Sequence, residues 1–416
     1  MAATINTNIA SINAQRNLTF SGQSLNTTMQ RLSSGLRVNS AKDDAAGLAI
    51  SERMNTQVKG LTVASRNASD GISLAQTTEG ALGKIGDMLQ RMRELAVQAG
   101  NATNSKGDRE ALQLEVKQLA DEVDRVAKQT NFNGQKVLDG SFAGAVFQVG
   151  ANSGDNITLG ALVDTRAEKI SSISYASSAQ TGINTADPGS SITSYVESID
   201  AGDLAIILTP GGTTNLPALP PASSQQERLG QVIEAINNKS ADTGVVAYLT
   251  KQEGSEKYTV EIMSGKTDTN GDPVSVAFSG FSITLTGIAD ANGTIGGSTA
   301  GPPATGAEID ARGINDIDVG TQAGAWIGLK KIDSAIDQVN AARATLGAIQ
   351  TRFETAVNNI DIQVENLAAA RGRIIDADFA VETANLSRTQ ILQQAGTAMV
   401  AQANQIPQNV LQLLQG

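Results

Sequence analysis

The side chains that most often carry chemistry are scarce in this chain: its 416 residues include no histidine and no cysteine. Without histidine there is no His-based triad, no two-histidine zinc motif and no near-neutral general base of the commonest kind. Without cysteine there are no disulfides and no thiol chemistry, so stability must come from packing. Asp268–Pro273 (DTNGDP) opens like a calcium loop, but Ser279 falls where a bidentate carboxylate is required, and a tight turn is the better reading. Gly265-Lys266-Thr267 fails as a phosphate loop because Val260 stands where its first glycine belongs. The paired carboxylates Asp43-Asp44 and Asp376/Asp378 stand at helix starts, where acids satisfy free N–H groups and the dipole. Asn-x-Ser/Thr triplets such as Asn156-Ile157-Thr158 say little without a known source. No catalytic, cofactor or metal constellation is assembled.

The positioning elements themselves are more informative. From Ile332 to Ile374 alternating steps of four and three read Ile332, Ile336, Val339, Arg343, Leu346, Gln350, Phe353, Val357, Ile360, Val364, Leu367, Arg371 and Ile374. Such 3.5-residue spacing keeps one stripe toward a partner, the mark of a coiled-coil helix. The partner lies in the first half, where Leu61, Ala68, Ala75, Leu82, Leu89 and Ala96 recur every seven residues with Ala64, Ile85, Met92 and Ala99 as companions. Ser40 and Asp43 read as a capping box before that run. A second register follows in Leu112, Val116, Leu119, Val123 and Val126. The two ends of the chain therefore fold together, and the middle is an insertion.

The ends are helical but thin. Ile5, Ile9, Ile12, Leu25, Met29, Leu32 and Leu36 mark the first, and Leu392, Ala395, Met399, Ala403, Ile406, Val410 and Leu413 the last, with Pro407 as a kink or break. Two such amphipathic tails bury too little apolar surface to stand alone, and are expected to order against copies of themselves. Between the helices the pattern turns to strands and turns. Asn133-Gly134 and Asp139-Gly140 are hairpin signals, and Ala145–Val149 with Ile157–Leu159 read as strands. Residues 169–320 are rich in Ser, Thr, Gly and Asn, with strand-like runs at Leu204–Leu208, Val245–Leu249, Lys257–Ile262 and Phe281–Leu285 and one helix over Ser224–Asn237. Pro217, Pro220, Pro221 and Pro302-Pro303 mark loops or linkers. The fold class is thus mainly α: a discontinuous long-helix coiled-coil rod built from both ends, with a β-hairpin and an inserted α+β, mostly antiparallel, outer domain.

Composition agrees with helix seams and excludes other classes. Aromatics are 3% of the chain, with one tryptophan, Trp326. Net charge is −11 and no basic cluster interleaves with aromatics, which argues against nucleic-acid binding. No run approaches about 20 apolar residues, so no membrane insertion is expected. The N-terminal residues lack the basic lead and apolar centre of a secretory signal, so any export would use a route without a cleaved signal. On the long helix, Arg91, Arg93 and Glu94 read by periodicity alone as a solvated face with local ion pairs.

Several runs are recognisable. INTNIASINAQRNL (Ile5–Leu18), RLSSGLRVNSAKDDAAGLAI (Arg31–Ile50), LQRMRELAVQ (Leu89–Gln98), QTNFNGQKVL (Gln129–Leu138) and NLSRTQILQQAGTAMVAQANQIPQNVLQLL (Asn385–Leu414) closely resemble bacterial flagellin. The resemblance covers roughly residues 1–166 and 321–416, and the segment Glu234–Leu249 resembles a small repeat found in some flagellin insertions. It implies three domains: residues 1–42 with 376–416 as an inner coiled-coil tube, 43–168 with 321–375 as a helical rod, and 169–320 facing outward. It implies a homo-polymer, the extracellular flagellar filament used for swimming, assembled through Ile5, Ile9, Ile12, Leu25, Met29, Leu32, Leu36, Leu392, Met399, Ile406, Val410 and Leu413. The helical, non-closing contact of such a filament suits long stripes.

The resemblance also implies partners. Unfolded export by the flagellar type III route, a flagellar export chaperone on Ala384–Leu414, and the filament cap and hook-junction proteins follow from it. LQRMRELAVQ resembles the flagellin segment read by host Toll-like receptor 5, which would make Arg91 and Leu95 recognition residues, with Gln90, Gln98 and Glu115 in support. Gly83 and Gly86 depart from the pattern and would loosen the helix beside that segment. A hook–filament junction protein and a flagellin whose insertion is an adhesin are the competing readings. A zinc-peptidase insertion would need His-Glu-x-x-His, which a chain without histidine lacks.

Overall fold

A computed structural model describes residues 7–180, 192–209, 211–251, 257–268, 273–288 and 307–415, with side chains described only to residue 405 at the C-terminal end. Ile5, most of Asp268–Pro273 and Pro302-Pro303 lie outside the described residues. The chain is mainly helical. Its long helices are α1 (Ile9–Ser34), α2 (Ala45–Ala99), α3 (Lys106–Gln129), α7 (Gln322–Ile375) and α8 (Phe379–Gln415). It divides into two compact units, and α2 and α7 contribute to both.

The first unit comprises Met1–Ile72, Val146–Ile157 and Thr351–Gly416. Here Leu61 and Ala64 of α2 and Ile360 of α7 are buried together, with Val364 and Leu367 against them. Phe353 is fully buried on Gly71, where a Cβ would stand 2.7 Å from the ring. Phe147 meets Phe353 edge-on at 5.3 Å. Phe147 belongs to β3 (Ala145–Gln148), which pairs with β4 (Asn156–Leu159) as the expected hairpin. The hairpin's turn rests on the helix, with Ala151 over Gly60 and the Asn67 amide donating to the Gln148 carbonyl at 3.0 Å.

The second unit comprises Ser73–Ala145 and Thr158–Gln350. Leu82, Ile85, Leu89, Met92, Ala96 and Ala99 of α2 are buried, as are Val116, Ala120, Val123 and Ala127 of α3 and Ile332, Val339 and Leu346 of α7. Polar side chains clamp the seam: Gln350 donates to Glu79 at 2.8 Å, and Arg93 meets Asp333 at 2.7 Å. Gln113 of α3 donates to the Ile317 carbonyl and accepts from the Val319 N–H, fastening the loop that leads from the insertion into α7. A capping box at Ser105 and Asp108 starts α3. A two-stranded sheet, β1 (Asn131–Phe132) with β2 (Gln135–Lys136), turns at Asn133 and Gly134, both with positive φ.

The remainder of this unit has its own core. A four-stranded antiparallel sheet runs β11 (Ala307–Arg312), β5 (Ser172–Gln180), β9 (Tyr258–Ser264), β8 (Val245–Lys251), and a three-stranded one runs β10 (Ser275–Ser279), β6 (Ala205–Thr209), β7 (Gly212–Asn215). Helix α4 (Gln225–Asn238) buries Leu229, Val232, Ala235 and Ile236. Its Asn237 carboxamide bonds both backbone groups of Ala247 on β8, at 2.9 and 2.8 Å. Short helices α5 (Ser240–Thr243) and α6 (Ile283–Thr286) complete the set.

Three local expectations are corrected. Phe281–Leu285 is not a strand: Ser282 accepts from the Leu285 N–H and closes the turn of α6, since a short apolar run does not by itself distinguish the two forms. Ser40 and Asp43 close a turn, and Asp44 caps α2 by accepting from the Gly47 N–H at 2.8 Å. Helix α8 continues through Pro407 to Gln415.

Candidate assembly interface

Helices α1 and α8 pair antiparallel and are joined near both ends. Asn8 caps α1 by accepting from the Ser11 N–H at 3.1 Å, and Gly35 ends it in the left-handed conformation with φ 71°. Asp378 caps α8 by accepting from the N–H groups of Ala380 and Val381 at 2.9 and 3.3 Å. Between these caps, the Arg37 N–H donates to the Ile375 carbonyl and the Ala377 N–H to the Gly35 carbonyl, holding the two connections side by side. At the far end Asn8 donates to the Ala403 carbonyl and Ser11 to Asn404, both at 2.7 Å. Midway, Leu18 packs on Gly396, where an added Cβ would lie 3.1 Å from it.

The side chains buried between these helices are unusual for a helix pair. Among the described residues they are Ser11, Thr28, Glu382, Thr389 and Ala403, each small or polar. Nine large apolar side chains face away: Ile9, Ile12, Phe20 and Met29 of α1 and Phe379, Val381, Ile391, Leu392 and Met399 of α8 are 48–65% exposed. Leu25, Leu32 and Leu36 are half-buried. Ile406, Val410 and Leu413 lie on α8, but their side chains, like Ile5, are outside the described residues. The sequence reading misses Phe20, Phe379, Val381 and Ile391, although Phe20 stands eight residues after Ile12, about two helical turns along the same face. A single copy thus displays its apolar stripes to water, and the arrangement can do one thing chemically, which is to bury them against another surface.

The segment Leu89–Gln98 is placed differently. Gln90, Arg91 and Gln98 are exposed and Glu115 half-exposed, whereas Leu95 is buried at 1%. Leu95 therefore sits beneath this face and supports it. Arg91 bonds Glu94 at 2.9 Å and Glu115 of α3 at 2.8 Å, and these carboxylates hold its guanidinium pKa above the ordinary value. Val97 and Leu114 are exposed apolar side chains on the same two helices. Among the described residues no three carboxylates gather as a metal site, and no helix is long and apolar enough to cross a membrane.

Comparison with known proteins assigns the family. Residues 5–143 match the bacterial flagellin N-terminal helical region, and residues 329–414 match the bacterial flagellin C-terminal helical region. Over its full length and theirs, the chain is 39% identical to flagellin D of Vibrio cholerae across 424 aligned residues, and 38% identical to flagellin of Salmonella typhimurium across 500. Among solved structures it is similar to FliC from Burkholderia pseudomallei, at 25% identity and a TM-score of 0.36, covering 68% of this chain and 99% of that one. The chain belongs to the bacterial flagellin family, whose members are structural subunits of the flagellar filament.

Proposed function

We propose that the chain polymerises through α1 and α8, and that residues 1–42 with 376–416 form the inner layer of the filament, 43–168 with 321–375 the next, and 169–320 the outer face. One observation carries this reading: the side chains described as buried on α1 and α8 are small or polar, while nine large apolar ones on the same helices are exposed. At roughly 1.5–3 kcal/mol for fully burying each such side chain, several per copy make association the main source of stability for these helices. The full-length match to flagellins favours the repeating subunit over the junction protein. Seeded polymerisation of purified chain tests it. The whole chain should elongate seeds, and chains lacking residues 1–42 or 376–416 should not. Elongation by either truncation at the full rate would overturn the proposal.

Finer roles follow from the same reading. Export proceeds unfolded and without a cleaved signal, with α8 from Ala384 to Leu414 held by an export chaperone until assembly between the hook-junction and cap proteins. Gln90, Arg91, Gln98 and Glu115 form the surface offered to Toll-like receptor 5, and Leu95 fixes the helix beneath it. The exposed Arg91 cluster supports this surface. Arg91→Ala should weaken receptor signalling about tenfold or more while leaving polymerisation intact, as expected for an interface arginine.

A further inference from the structure

A strand at the edge of a sheet offers its outward N–H and C=O groups as a template for a further strand. Among the described residues the inserted fold has four such edges, β11 and β8 in one sheet and β10 and β7 in the other. The sequence of β8, VVAYLTK, has the composition that pairs readily: β-branched and aromatic residues, one charge, no proline and no glycine. Residues of an antiparallel strand alternate, so every second one turns both backbone groups away from its partner. On β8 the first of those outward groups are already taken. The Val245 N–H donates to Thr243 Oγ1 at 3.2 Å, and two residues on, Ala247 exchanges both bonds with the Asn237 carboxamide at 2.9 and 2.8 Å. A carboxamide holds the same donor and acceptor as a peptide group, so Asn237 stands where a fifth strand would bond. The β11 edge is blunted differently. Ile309 and Asp310 together oppose the single residue Ser174 of β5, a bulge that interrupts the ladder. β7 is four residues long, GTTN, with no large apolar side chain to bury.

We propose that the inserted fold is closed to strand addition between copies of the chain, with Asn237 guarding β8 and the bulge guarding β11. The purpose of the guards rests on the polymerisation reading above, because a polymer holds identical insertions at high local concentration, where even weak edges pair. A strand joined between insertions would compete with the helix contacts of α1 and α8. The two guards work by different physics. Asn237 answers the donor and acceptor that a new strand needs, and it lies in the last turn of α4, which Leu229, Val232, Ala235 and Ile236 anchor in the core. The bulge bends β11 and breaks the even spacing of its outward groups, so a straight strand does not bond along it. For the stability of the sheet alone the bulge is a loss, since it leaves one residue without a place in the ladder. A guard accounts for that loss.

The test uses full-length chain without seeds, so that elongation through the helices is not started. Deleting Asp310 restores one-to-one pairing of β11 with β5. Sedimentation should then shift from monomer to dimer as concentration rises, with new amide protection confined to Ala307–Arg312. Wild-type chain, and Asp310→Gly, which keeps the bulge, should stay monomeric. A deletion variant that stays monomeric overturns the proposal, as does wild-type chain that associates through β8 or β11. Loss of protection across β5 and β9 in the deletion variant overturns it too, since the bulge would then be a requirement of the fold. Asn237→Ala tests the other edge in the same assay. Association with new protection in Val245–Lys251 supports the guard, whereas a lower urea midpoint without association makes Asn237 structural only and overturns its part. Seeded elongation of wild-type chain, run in parallel, separates the two claims: its failure would overturn the polymerisation reading, while the edge assay is read without polymer.

Discussion

Gly71 and Gly83 stand on the same helix and differ in what a methyl group would meet. At Gly71 a Cβ would lie 2.7 Å from Phe353, a buried ring already held edge-on by Phe147. At Gly83 it would meet nothing within 4 Å. Alanine is favoured over glycine in a helix interior by roughly 0.8–1 kcal/mol, whereas overpacking a core costs about 1–3 kcal/mol. Gly83→Ala should therefore stabilise by about 0.5–1 kcal/mol and Gly71→Ala destabilise by about 1–2 kcal/mol, both read from urea unfolding midpoints. Gly71 is unreadable as special from sequence, because its reason is a ring 282 residues away in the chain. The exposed Asp108 is a second residue-scale case. Its hydrogen bonds from Ser105 hold the carboxyl below its ordinary pKa. A folded pKa depressed below the unfolded one gives a contribution present above the unfolded value and lost as pH falls through the folded one. An NMR titration should place the Asp108 midpoint below the usual carboxylate range, and Ser105→Ala should move it back up.

Among the elements, the long seam is the most legible part of the sequence. Leu61, Ala68, Ala75, Leu82, Leu89 and Ala96 share one spacing and are all buried. A period of 3.5 sustained over many turns belongs to long helices packed side by side and to little else. Leu89→Ala should cost about 2–5 kcal/mol in urea unfolding, the ordinary range for emptying a packed helix core. Smaller elements are less legible for physical reasons. Phe281–Leu285 is a short apolar run that either period fits, and the hydroxyl of Ser282 decides for a helical turn. Periodicity in α1 and α8 shows that a stripe exists without showing what covers it. The structure places Ser11, Thr28 and Thr389 against the partner helix and turns Ile12, Met29 and Met399 outward. Small side chains carry almost no weight in a search for apolar repeats, so this seam is invisible to it.

At the scale of the whole molecule, a structural task and a separate inserted fold occupy one chain. Among the described residues, the core of the inserted region is built from side chains between Ala176 and Ile288, with none from α2, α3 or α7. Ala176 pairs directly with Ala307 across β5 and β11, so the insertion leaves and returns at neighbouring points. Joining those residues by a two-residue hairpin turn in place of 177–306 should leave seeded elongation intact, since two-residue turns close antiparallel strands readily. Loss of elongation would assign the insertion an assembly role. The central claim is that apolar side chains idle in one copy are the contacts of the polymer, and the most direct measurement is an Ile12→Ser/Met399→Ser double variant in monomer melting and seeded elongation. Both residues are more than half exposed, so the monomer should melt within a few degrees of wild type, as is usual for surface substitutions. Elongation should fall to background. An intact monomer that elongates at the wild-type rate would contradict the account.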